Sequence, residues 1–95
     1  MASYIVLGKF TDQGIKTVKD SPTRAEAFKK VCEGVGARMI GVQWTIGAYD
    51  LVAMFEGTEE AVTAALLKLG SAGNVTTQTL RAYSADEFKA ILRNV

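Results

Sequence analysis

The chain has 95 residues, of which 48% are hydrophobic and 22% charged, with a net charge of +1; this is the composition of one soluble globular domain spanning residues 1–95. Seven basic and five acidic side chains fall in the first fifty positions and four and five in the rest, so neither half carries the electrostatic footprint of a nucleic-acid or membrane partner. There is no histidine and one cysteine, Cys32, which excludes Ser-His and Cys-His nucleophile pairs, an internal disulfide, His-ligated haem and nearly all transition-metal sites.

No apolar run is long enough for a membrane span, and the first residues lack the basic-then-apolar pattern of a secretion signal. The expectation is a cytoplasmic protein with no metal and no cofactor.

Residues 3–10 read as a first strand. Residues 4–7 (Tyr-Ile-Val-Leu) are apolar without interruption, as in a strand covered on both faces, and Gly8 marks a bulge or a close backbone approach. Thr11-Asp12-Gln13-Gly14 is a turn signal, and the state of residues 15–19 is left open. Ser21 and Pro22 suit the cap and first turn of a helix, which Gly34 and Gly36 end. Phe28, Val31, Cys32 and Val35 recur at helical spacing and form its inner stripe, so Cys32 reads as a small buried hydrophobe rather than a reactive thiol.

Residues 38–46 and 50–56 are rich in aliphatic, β-branched and aromatic side chains and flank Gly47-Ala48-Tyr49, which predicts a hairpin. Thr58 caps the second helix, Glu59 and Glu60 complement its positive end, and Val62, Ala65, Leu66 and Leu69 form its buried stripe. Residues 75–83 alternate as a fourth strand, with Val75, Thr77, Thr79, Arg81 and Tyr83 on one face and Thr76, Gln78, Leu80 and Ala82 on the other. Ser84 and Glu87 make a capping box for a terminal helix with an apolar stripe of Phe88, Ile91, Leu92 and Val95.

This order predicts an α+β fold: a ferredoxin-like βαββαβ unit with a four-stranded antiparallel sheet and an added C-terminal helix. Two helices can cover one face of the sheet only, yet residues 4–7 and 51–55 are apolar on both faces. The second face therefore needs a cover. A sheet from an identical chain is the simplest one, and the terminal helix folded under the sheet is the competing one.

Several of these stretches carry a family likeness. Gly47-Ala48-Tyr49-Asp50, preceded by Trp44-Thr45, matches the naming motif of the GYD-domain family of small bacterial and archaeal proteins. Thr11-Asp12-Gln13-Gly14-Ile15-Lys16, Asp20-Ser21-Pro22, Gly70-Ser71, Gly73-Asn74-Val75 and Thr79-Leu80-Arg81-Ala82 resemble its other blocks, so the likeness runs over nearly the whole chain. The resemblance implies a ferredoxin-like fold of the dimeric α/β-barrel type. It does not choose an activity, because similar folds serve as cofactor-free oxygenases, lactone isomerases, haem enzymes and regulatory ligand-binding domains.

Two functions are compatible with the residues. The first is a non-catalytic homo-oligomer, a dimer or larger ring, used for small-molecule binding or assembly, with Trp44, Tyr49, Asp50, Gln78 and Arg81 as the ligand-binding set. The second is a cofactor-free isomerase or lyase in which Asp50 is the general base and Tyr49 or Arg81 stabilises developing negative charge. The first is favoured over the second, while residue by residue a structural role stays ahead of either: a lone Trp in a strand is commonly core, and an Asp beside a turn is commonly a local hydrogen-bond acceptor. Asp12, Gln13, Lys16 and Lys19 read as a solvated loop rather than as the lining of an anion site.

Overall fold

The apolar run at residues 4–7 becomes part of a central strand, paired on both sides. The computed structural model describes residues 2–95. Strand β1 (Ala2–Phe10) leads through a short helix α1 (Asp12–Lys16) and a single 3₁₀ turn (Val18–Asp20) into α2 (Ser21–Gly34). The hairpin β2 (Arg38–Trp44) and β3 (Leu51–Gly57) follows, then α3 (Glu59–Ser71), β4 (Val75–Ala82) and α4 (Ala85–Leu92). The sheet order is β2-β3-β1-β4 with every neighbouring pair antiparallel, which is the ferredoxin-like arrangement expected.

Register decides which side chains share a face. Tyr4 pairs with Phe55 and Arg81, and Val6 with Ala53 and Thr79. Val6, Ala53 and Phe55 are buried beneath α2 and α3, where they meet Phe28, Cys32, Met39, Val62 and Ala65. The Phe28 and Phe55 rings pack edge to face at 6.1 Å, an arrangement favoured by the ring quadrupoles. A register shift between Met39 and Gly41 turns Met39 inward while leaving Ile40 exposed.

The opposite face presents Ile5, Leu7, Val52, Met54 and Leu80, with Ile5 paired to both Met54 and Leu80. Helix α4 does not cover it. None of its residues is buried, and Phe88, Ile91 and Leu92 are exposed. The Cα extents, 48 × 31 × 17 Å, are those of a thin slab with helices over one side of its sheet.

Two junctions differ from the sequence expectation. Residues 12–16 are helical because Thr11 caps them, its side chain accepting the Gly14 N–H at 3.0 Å, and because their backbone is tied to the start of β4. Thr11 N–H donates to the Asn74 carbonyl at 3.1 Å, Thr11 Oγ1 donates to the Gly73 carbonyl, and Gln13 Nε2 donates to the Ala72 carbonyl and Asn74 Oδ1. Gly14 is required there, since a Cβ would stand 1.9 Å from the Asn74 carbonyl oxygen. The second is the start of α2, where Asp20 holds the cap position and Ser21, buried within the first turn, is used for a tertiary bond instead. Gly8 marks neither a bulge nor a close backbone approach: it pairs regularly with Leu51, and the Leu51 and Val75 side chains fill the space where a Cβ would stand.

Candidate functional site

The loop between β2 and β3 is held by its backbone. Gly47 has φ +144°, a conformation open to glycine, and the loop closes where Thr45 N–H donates to the Asp50 carbonyl at 2.8 Å and Thr45 Oγ1 donates to the Tyr49 carbonyl. Asp50 then fastens the hairpin to β1 twice. Its N–H donates to the Gly8 carbonyl at 2.8 Å, and its Oδ2 accepts the Phe10 N–H at 2.9 Å.

The five residues singled out from the sequence do not form one cluster. Tyr49 and Gln78 meet, Tyr49 O–H donating to Gln78 Oε1 at 2.8 Å, with Lys9 Nζ 5.3 Å from the centre of the Tyr49 ring. Trp44 lies across the sheet from them, its indole N–H donating to Ser21 Oγ at 2.9 Å. Arg81 lies on the helix side of β4, 4.4 Å from the centre of the Tyr83 ring and 5.6 Å from that of Tyr4. It donates to the Ser3 and Ala82 carbonyls and approaches Glu87 at 4.0 Å. Helix α4 begins beside it, and the Ser84 backbone N–H holds the Glu87 carboxyl below its usual range.

Cys32 is fully buried, and burial pushes its thiol up to about 11, so the reactive thiolate is suppressed. Among the described residues, no three His, Cys, Asp or Glu side chains cluster as metal ligands, and no helix is long and apolar enough to cross a membrane.

An apolar cleft on the helix side of the sheet was not legible in the sequence. Between α2, α3 and the covered face of the sheet lies a cleft of about 280 Å³, walled by Val6, Phe28, Val42, Trp44, Leu51 and Leu69. Small side chains leave the space: Ala25 and Ala27 on α2, Ala53 on the sheet and Ala72 at the end of α3. A closed, empty space of this size would be destabilising, because its lining would lose dispersion contacts. The cleft is open, however, and Trp44, 43% exposed, and Val31, 38% exposed, stand along it. Its charged lining residues are Arg24 and Lys68, and no carboxylate lines it among the described residues.

The βαββαβ order, the antiparallel sheet and the helices on one side define a ferredoxin-like α+β domain. The model of the GYD domain matches residues 4–92, and the chain belongs to the GYD-domain family. It is also 34% identical to a protein of Thermus thermophilus named "Glutamine synthetase and cystathionine beta-lyase binding protein", with 98% of this chain and 100% of that protein covered.

Proposed function

We propose that this domain is a non-catalytic protein-binding module whose working form is a homo-oligomer of the dimeric α/β-barrel type. The observation that carries the reading is the uncovered sheet face, where Ile5, Leu7, Val52, Met54 and Leu80 form one apolar surface at the centre of the domain. An identical face stacked at about 10 Å would remove it from water, the ordinary spacing of packed sheets. Pairing through this face leaves the helix side free on both copies. The full-length likeness to a protein named for binding two enzymes supports a protein partner, with glutamine synthetase and cystathionine β-lyase as the first to test. Asp50 belongs to the scaffold in this reading, because its carboxylate already accepts the Phe10 N–H.

The test is light scattering on the wild-type protein and on Met54→Glu and Leu80→Glu, followed by capture of the two purified enzymes from the same organism. A wild-type dimer or larger species, reduced to folded monomer by either substitution, is expected, with at least one enzyme retained by the wild type. A wild-type monomer would overturn the oligomer, and failure to retain either enzyme would overturn the assignment of these partners.

A further inference from the structure

We infer that the cleft between α2 and α3 is a binding site for a small carboxylate with an apolar body. Three observations lead there. The walls are formed almost wholly by aliphatic and aromatic side chains, among them Val6, Phe28, Val42 and Leu69. The volume, about 280 Å³, is nearly twice that of a cavity that takes benzene, so it suits a body of about ten to twelve carbons. The charged groups of the lining are both cations: Arg24 near the start of α2 and Lys68 near the end of α3.

Those two cations belong to one end of the cleft. Arg24 stands over the end of the sheet where Phe10 pairs with Val75 and Trp44 pairs with Leu51, since α2 starts and α3 finishes there. Arg24 is positioned by neutral acceptors: its Nη1 donates to Thr17 O at 3.0 Å and to Thr17 Oγ1 at 2.9 Å, and its Nη2 donates to Gly14 O at 3.4 Å. Neither Arg24 nor Lys68 has a carboxylate partner among the described residues. An anion at that end would lie beside two cations that have no ion-pair partner among the described residues, and the Ser21 hydroxyl and Asn74 amide, whose oxygens already accept from Trp44 and Gln13, keep their protons to donate. A small molecule with an apolar body ending in one carboxylate matches this lining, apolar along its walls and cationic at one end. The site lies on the other side of the sheet from the self-association surface and does not rest on that reading.

Trp44, the single tryptophan, lines the cleft and reports on it directly. The experiment titrates the full chain with decanoate and, separately, with 1-decanol, reading Trp44 emission and the thermal midpoint. Decanoate is expected to give a saturable change in emission and to raise the midpoint, as a ligand of the folded state must, with the alcohol about tenfold weaker. Lys68→Glu, on an exposed helix position, is expected to weaken decanoate about tenfold and leave 1-decanol unchanged, with its far-UV circular dichroism intact. Met54→Glu should bind decanoate as the wild type does. No saturable change with decanoate overturns the inference. So does equal affinity for the alcohol, or a folded Lys68→Glu protein that binds decanoate unchanged.

Discussion

Replacing Gly14 by Ala tests how the first connection is locked to the fourth strand. The added Cβ would lie 1.9 Å from the Asn74 carbonyl oxygen, 2.8 Å from its carbon and 3.1 Å from Asn74 Cα. These are backbone atoms, so no side-chain rotation relieves the contact. Ordinary contact begins at 3.4 Å, and separating the two segments that far breaks bonds that now stand near 3 Å. Thr11 N–H to Asn74 O, Thr11 Oγ1 to Gly73 O and the Gln13 amide to Asn74 all cross this junction. Losing two or three of them at about 1 kcal/mol each predicts a loss of about 2–3 kcal/mol. For a domain of this length that is a fall in Tm of about 10–20 °C. Gly70→Ala is the matched control, because a Cβ there meets nothing within 4 Å outside its own helix. It should stabilise by about 0.5 kcal/mol through helix propensity alone. Urea and thermal unfolding followed by circular dichroism measure both. A Gly14→Ala protein within about 0.5 kcal/mol of wild type would refute the reasoning, since that is the scale of an unremarkable surface change.

Two further predictions concern the titratable groups. Asp50→Ala leaves the Phe10 N–H without its partner and should cost about 1–3 kcal/mol in urea unfolding, whereas Asp50→Asn keeps an oxygen acceptor and should retain most of that stability. Cys32 should resist alkylation at neutral pH until urea exposes it, because its thiol is buried and pushed up to about 11. Its proton is held more tightly folded than unfolded, where the ordinary value is 9.0, so its contribution leaves stability unchanged below about pH 9 and lowers it as pH rises toward 11; Cys32→Ala should flatten that part of the profile.

Strand and helix order followed from local pattern because capping residues and apolar periodicity agreed at most positions. Thr58 and Ser84 cap their helices as their sequence context predicts, each accepting a backbone N–H within the first turn. Where the expectation fell short, a long-range bond decided the outcome. Ser21 was legible as a cap, but its hydroxyl is taken by the Trp44 indole, two residues brought together only when β2 lies beside α2. Helix α1 has a glycine at its centre, and its anchor at Asn74 is sixty residues away in sequence. The candidate site shows the same limit more sharply. Alternation along β4 puts Gln78 and Arg81 on opposite faces, but that Tyr49 joins Gln78 while Trp44 faces the helices depends on the register between strands. The cleft depends on the separation of α2 and α3, a distance that no pattern of residue types encodes.

The central position of β1 also orders events during synthesis. Its partners are residues 51–57 and 75–82, so its ladders close over long loops, while the β2–β3 hairpin closes across a short one. Contacts of that span are slow to form, because chain entropy is spent before they are rewarded. This apolar strand therefore leaves the ribosome before its partners and waits unpaired, with Tyr4, Ile5, Val6 and Leu7 open to wrong partners until β3 and then β4 arrive.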